Sequence, residues 1–348
     1  MRVLSVVGNR PQFIKSAPLS AALRDAGIEE TVLHTGQHYD RELSQVFFDE
    51  LGLAAPQNLD LRTADVDEML PRLEAAISKV APEAVLVYGD TNSTLAGARA
   101  AHAAGLPVAH VEAGMRSGDL SMPEEHNRIE VDRIAALLLC PDERSAGTLR
   151  GEGVLGRIEV VGDVMHDALR LFLPIAQGCG PAVRPPYSVL TLHRQANTEP
   201  ERLLRLISEV NATRWTFAFP IHPRARRVLD EEGIPLPKTV LPLDPLGYLE
   251  MLDLVAGSTR VVTDSGGLQK EAYWLRIPCI TLRPSTEWVD TVQVGANRLL
   301  DPGDENAIRS LGIALNDASF PDDAPQLYGD GHASEKVAAA LLASLGAA

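Results

Sequence analysis

A strand–helix alternation that runs through the first half of the chain, breaks, and starts again constrains this sequence more than any other feature. In the first half, segments 3–7, 31–34, 84–88, 108–111 and 136–140 are near-continuous apolar runs of strand length. Between them, 14–26, 41–51, 67–79, 94–104 and 124–134 carry apolar residues at helical spacing. Residues 178–186, Gly-Cys-Gly-Pro-Ala-Val-Arg-Pro-Pro, cannot continue a helix. The pattern then restarts, with strand segments at 188–192, 216–220, 240–243, 261–263 and 279–282. Strands apolar on both faces and alternating with helices predict parallel sheets covered on both sides. The expected fold class is α/β, with Rossmann-like doubly wound domains over 1–170 and 171–330. The last segment, 331–348, holds a helix expected to pack back on the first domain.

Composition removes several function classes. A formal net charge of −15, scattered along 348 residues, argues against nucleic acid or an anionic membrane as partner. An anionic ligand must then be held by a few local cations. No apolar run has the length needed to span a bilayer. The opening Met-Arg-Val-Leu-Ser-Val-Val-Gly is too short for a signal sequence and meets Arg10 and Lys15. It reads as the buried first strand of a cytoplasmic protein. Cys140, Cys179 and Cys279 are far apart, odd in number and form no CxxC, which argues against a disulfide framework or a structural zinc site. Cys140 and Cys279 lie in apolar runs and read as inert core thiols.

Ligands of open α/β sheets bind beyond the carboxyl ends of the strands, so polar residues directly after strands are the site candidates. The richest such stretch is 260–271, Arg-Val-Val-Thr-Asp-Ser-Gly-Gly-Leu-Gln-Lys-Glu. A β-branched run stops at Asp264-Ser265-Gly266-Gly267, and a helix-compatible segment follows. Strand, glycine turn and helix start is the geometry of a phosphate cradle. Glycine admits a close anion, and the helix start offers unpaired N–H groups at a positive dipole end. Glu271, one to two helical turns on, suits the two hydroxyls of a ribose. The plainer alternatives are a turn without ligand and a surface glutamate. In an ordinary dinucleotide-binding protein this turn follows the first strand. Here it lies three quarters of the way along, so the second half is expected to hold a nucleotide and the first half something else. His193 and Arg194 end one strand of the second half and His222 follows another, in positions suited to a diphosphate. Arg224, Arg226 and Arg227 read as solvated helix surface.

In the first half, strand 3–7 ends at Gly8-Asn9-Arg10, with Lys15 about one helical turn later. Cations near a helix N-terminus are disfavoured unless an anion offsets them, so Arg10 in the turn and Lys15 suit a phosphorylated ligand. Asp90 follows strand 84–88 and is spare, because Ser93 can cap the next helix. Glu112 follows strand 108–111, where desolvation suits a carboxylate to acid–base work; the alternative is a buried ion pair with Arg116 or Arg128. Pro123 fits a helix start, and Glu124 and Arg128 stand at i and i+4, which would orient and polarise Glu124. Lys15 and three carboxylates would thus converge on one rim. Converging carboxylates have pKa values pushed apart, as proton-transfer sites need.

In their order, GNRPQFIKSAP, HTGQHYD, YGDTNST, HVEAGMRS, MPEEHNR, HRQANT, DSGGLQKE and LRPSTEWVDTV resemble the motifs of the non-hydrolysing UDP-N-acetylglucosamine 2-epimerases over nearly the whole chain. The resemblance implies GT-B architecture, two Rossmann-like domains facing across a cleft, and a homodimer. It also implies a reaction with neither NAD nor metal. UDP is eliminated from the sugar as the carbon-2 proton is removed, leaving a 2-acetamidoglucal. UDP then adds back while a proton is delivered to the opposite face. Asp90, Glu112 and Glu124 match the family's acidic catalytic positions, with Lys15 and His193 also implicated. Arg10, His193, Ser265, Gly266, Gly267 and Glu271 match its UDP contacts, and Gln37 one contact to a second, activating substrate molecule. The chain departs from the pattern at Ala196 and Lys270, where glutamate is common, and at Asp40, where a second glutamine is common. Glu-Trp-Val-Asp-Thr-Val and the short Ser-Met-Pro-Glu-Glu look more like the subgroup that includes epimerases of diacetamido-glucuronic acid nucleotides. The expected reaction converts UDP-GlcNAc to UDP-ManNAc for cell-envelope polysaccharide. Its rivals are the same reaction on another UDP-2-acetamido sugar, a hydrolysing epimerase, a GT-B glycosyltransferase and an inactive nucleotide-sugar binder. Which carboxylate is acid and which is base is left open.

Overall fold

The computed structural model describes residues 1–37 and 56–346. The expected helix 41–51 and Asp40 lie outside the described residues. The chain divides into two compact units, Met1–Leu171 with Tyr328–Ala348, and Phe172–Leu327.

The first unit is built on β1 (Arg2–Val7), β2 (Glu29–His34), β3 (Gln57–Asn58), β4 (Ala84–Tyr88), β5 (Val108–Val111), β6 (Leu137–Cys140) and β7 (Arg157–Val160), in spatial order 3-2-1-4-5-6-7. The second is built on β8 (Ser188–Thr191), β9 (Phe217–Pro220), β10 (Val240–Leu243), β11 (Arg260–Thr263), β12 (Cys279–Thr281) and β13 (Asn297–Leu299), in order 10-9-8-11-12-13. Neighbouring strands pair in parallel throughout both sheets. The central strands show why: all five residues of β4 are buried, so both faces must be covered by helices. Strand order reverses between β1 and β4 in one sheet and between β8 and β11 in the other. Those reversals are the switch points at which such sheets hold ligands. They also explain the late glycine turn, which follows the strand across the switch from β8.

Strands β3, β7 and β13 were not expected. All three are edge strands, and none carries the apolar run that marks a central strand; both residues of β3 are exposed. Within the first unit the C-terminal helix, Ala333–Leu345, packs on α1 (Arg10–Asp25) and buries Val337, Ala338 and Leu341. The buried Asp167 carboxylate accepts the N–H groups of Ala333 (3.0 Å) and Ser334 (2.7 Å), capping that helix from another part of the chain. Cys140 and Cys279 are buried and free, and burial pushes both thiols up to about 12, which makes them inert. Among the described residues no helix is long and apolar enough to cross a membrane.

Candidate active site

At the β1–β4 switch the sequence holds two loops close together. Asn9 caps α1, and Arg10 is its first residue rather than part of the preceding turn. The next side chain inward, Gln12, is buried. It accepts the Gly8 N–H (2.7 Å) and donates to the Tyr88 carbonyl (2.7 Å), tying the ends of β1 and β4 together. A Cβ on Gly8 would lie 2.0 Å from Ser93 Oγ, so only glycine permits this approach. Thr91, not Ser93, caps the helix after β4 (α2, Asn92–Ala103), through a reciprocal bond with Thr94. Ser93 instead donates its N–H (3.2 Å) and hydroxyl (2.6 Å) to the Gln37 side-chain oxygen. In this structure Gln37 thus satisfies an orphan helix N–H.

Three cation–carboxylate contacts organise the rim. Glu112 is 8 % exposed and pairs with Lys15. Its backbone lies in the left-handed region (φ +69°), a conformation of about 1–3 kcal/mol strain for a non-glycine residue, which turns its side chain back over the switch. Gly89, also left-handed (φ +63°), makes room: a Cβ there would stand 3.3 Å from Glu112 Oε2 and 3.7 Å from Lys15 Nζ. Arg128, on α3 (Pro123–Ile134), donates to Asp90 and, at 3.0 Å, to Glu125. Burial pushes the Asp90 carboxyl above its ordinary value despite Arg128 and Lys15, and the charges of Glu112 and Glu124 push the same way. Glu124 is exposed, whereas its neighbour Glu125 is buried and accepts the Ser117 and Gly118 N–H groups at 3.0 Å each. The structure therefore ties Glu125 into the loop and presents Glu124 at the surface beside Asp90. A buried His110 supports the floor, with Nδ1 2.7 Å from Asp132 and Nε2 2.7 Å from the Gly89 carbonyl oxygen.

At the β8–β11 switch of the second unit, Ser265 caps α4 (Gly266–Trp274). The helix's first N–H groups thus lie at Gly266 and Gly267 and have no intrahelical partner. A Cβ on Gly266 would come no closer than 3.9 Å to Arg283 Nη1, and one on Gly267 would meet nothing within 4 Å. That space is where an anion would sit. Asp264, just before the cap, is fully buried and approaches His193 Nδ1 at 2.6 Å. Burial alone raises its pKa, but His193 and the Arg194 and Asn197 donors outweigh it and hold the carboxyl below the usual range. The stability this gives is present above the ordinary aspartate pKa and is lost as pH falls through the depressed one. Arg194 Nε donates to the Asp264 carbonyl oxygen (3.1 Å). Arg224, expected as solvated surface, reaches back to the His193 carbonyl oxygen (3.0 Å). His222 caps the next helix by accepting the Arg224 N–H (3.2 Å); burial first, then His193 and Arg224, lower its pKa. Glu271 is half-buried beside the Tyr248 hydroxyl, and burial together with Glu271 holds that phenol well above its ordinary pKa.

Two of the departures from the family pattern, Lys270 and Ala196, are also placed. Lys270 is 2 % exposed, with Nζ 3.9 Å from the centroid of the Trp288 ring, a buried cation–π stack. It helps fix the loop in which Arg283 and Glu287 form a two-bond ion pair, 3.0 Å each. Ala196 is exposed on a 3₁₀ turn, Gln195–Asn197. Sequence reasoning missed Asp264, Gln12, His110 and Asp132 as site supports. Asp264, Gln12 and His110 lie inside motifs already singled out. Among the described residues no group of three or more His, Cys, Asp or Glu side chains is placed to hold a metal ion.

Gly267→Ala separates fold from ligand. The methyl meets no protein atom, and alanine favours helix over glycine, so thermal stability should hold or rise. Affinity for a nucleoside diphosphate, measured by titration calorimetry, should fall at least about tenfold through the lost close approach. Unchanged affinity would show that the helix start is not the anion site.

Comparison with known proteins identifies the family. Residues 21–342 match the family model for UDP-N-acetylglucosamine 2-epimerase. The chain is 41% identical to the UDP-2,3-diacetamido-2,3-dideoxy-D-glucuronate 2-epimerase of Pseudomonas aeruginosa, covering 97% of this chain and 98% of that one. It is 38% identical to the UDP-N-acetylglucosamine 2-epimerase of Methanocaldococcus jannaschii, over 91% of this chain and 93% of the relative. The crystal structure of the M. jannaschii enzyme in complex with UDP-GlcNAc and UDP superposes with a TM-score of 0.84 at 34% identity, covering 99% of this chain and 100% of that one. The two parallel sheets with flanking helices match the GT-B fold of these enzymes. By sequence and by fold, the chain belongs to the UDP-N-acetylglucosamine 2-epimerase family of isomerases.

Proposed function

We propose that the protein interconverts UDP-GlcNAc and UDP-ManNAc at carbon 2 by elimination and re-addition of UDP. The observation that carries this reading is the set around the β1–β4 switch: Lys15 on Glu112, Arg128 on Asp90, and Glu124 beside them. Removing a proton from one face and returning one to the other needs two proton-transfer groups with different proton affinities. Asp90, pushed up by burial, and Glu112, paired with Lys15, are two such groups in different surroundings. The UDP that departs and returns needs a separate grip. Ser265, Gly266 and Gly267 supply it for the diphosphate, with Arg10, His193, Arg194 and His222 as further UDP contacts and Glu271 for the ribose. The reading carries two further expectations, a homodimer and a place in the cytoplasm. Gln37 is proposed to contact a second, activating substrate molecule.

A second reading is favoured by the P. aeruginosa relative, whose named substrate is a diacetamido-glucuronate. Both sugars should be offered separately and the products followed by proton NMR. UDP-ManNAc from UDP-GlcNAc supports the first reading. Turnover of UDP-2,3-diacetamido-glucuronate alone moves the assignment to the second, and release of free ManNAc would overturn both in favour of hydrolysis.

A further inference from the structure

The imidazole of His193 is built into the second unit by a single carboxylate. Asp264 is fully buried, and its oxygens accept the His193 N–H (3.1 Å to each), the Arg194 N–H (3.0 Å) and the Asn197 side-chain amide (3.1 Å). Its Oδ1 also stands 2.6 Å from His193 Nδ1. An ionised carboxylate can only accept, so Nδ1 carries the hydrogen. The other nitrogen, Nε2, is then the one left for a ligand. It offers a lone pair when the ring is neutral and an N–H when the ring is charged. The ring is 42 % exposed, while the carboxylate behind it is not exposed at all.

The groups around the pair reinforce this arrangement. Ring centroids of His193 and His222 are 6.3 Å apart, and His222 already uses its Nδ1 to accept the Arg224 N–H. Arg224 and Arg194 donate to the carbonyl oxygens of His193 and Asp264. Asp264 immediately precedes the Ser265 cap, and the imidazole therefore stands at the same strand ends as the open N–H groups of Gly266 and Gly267.

We infer that Asp264 is a positioning residue: it fixes the His193 tautomer and sustains the imidazolium whose Nε2–H bonds the departing UDP. This rests on the epimerase reading for its reaction step. When the bond between the anomeric carbon and the β-phosphate oxygen breaks, its electron pair goes to that oxygen. The carbon-2 proton goes to a carboxylate of the first unit, and the pair that held it becomes the double bond between carbons 1 and 2. The imidazolium N–H stabilises the new phosphate charge, and re-addition reverses each step. No further reactant is required.

Asp264→Asn tests this. An asparagine oxygen can keep the three donors now on Oδ2, while its NH2 faces Nδ1 and forces the opposite tautomer. We expect kcat to fall about 10²–10⁴-fold, the range of a proton-handling group, with UDP affinity changed less than about tenfold. The alkaline limb of the kcat/KM profile should move to lower pH, because the imidazolium loses its carboxylate. In ¹⁵N NMR of histidine-labelled protein without sugar, His193 should be Nδ1-protonated in the wild type and Nε2-protonated in the variant. An unchanged pH profile and tautomer, or a loss confined to UDP binding, would overturn the inference. If the variant does not fold, the wild-type ¹⁵N shifts decide alone, since a neutral Nε2–H tautomer contradicts it. The tautomer needs no turnover, so failure of the epimerase reading would appear separately, as wild-type protein inactive on every UDP-sugar.

Discussion

Glu112→Gln should lower turnover and carbon-2 exchange by about 10²–10⁴-fold, the span of a lost general acid or base, while UDP affinity stays within a few-fold. The substitution is nearly isosteric. Glutamine keeps an oxygen for Lys15 and inherits the same left-handed backbone, φ +69°, so it adds no new strain. What disappears is the ability to take up and release a proton beside Lys15. Stopped reactions by NMR give the turnover, and titration with UDP gives the affinity. Parallel loss of both would mean that Glu112 serves the fold or the ligand grip rather than proton transfer.

Glu271→Ala should have the opposite signature. Two hydrogen bonds from ribose hydroxyls to a carboxylate, at about 1.5–3 kcal/mol each, correspond to a loss of UDP affinity of about 10²-fold or more. Tyr248, whose phenol lies against Glu271, is then relieved of a neighbouring charge, so part of the protein's own packing changes as well. Tyr248→Phe is the control: it removes the hydroxyl and keeps the carboxylate, and it should weaken UDP far less. Loss of kcat with UDP affinity intact in Glu271→Ala would reverse the division of labour between the two units.

Much of the fold is legible in the sequence. The central strands declare themselves because burial on both faces demands unbroken apolar residues, as in Ala84–Tyr88 and Val108–Val111. Edge strands such as Arg157–Val160 need only one covered face and carry charges, so they leave little signal. The strand-end rule placed Asp90, Glu112, His193 and Ser265 where site residues belong. It could not pair them. Lys15 meets Glu112 across 97 residues of sequence, and Arg128 meets Asp90 across 38, and only the sheet order decides such partners. Glu124 and Glu125 are equivalent as helix-start residues; burial and the Ser117–Gly118 loop tell them apart. Asp264 looked like one more turn residue until its burial and its donors showed a carboxylate organised around a histidine.

The central claim is that first-unit carboxylates move the carbon-2 proton while the second unit releases and recaptures UDP. Incubation with UDP-GlcNAc in D2O, followed by proton NMR and mass spectrometry, tests it most directly. The account predicts UDP-ManNAc carrying one deuterium at carbon 2, the same label appearing in recovered UDP-GlcNAc, and no free sugar. Epimerisation with the carbon-2 hydrogen retained would contradict it.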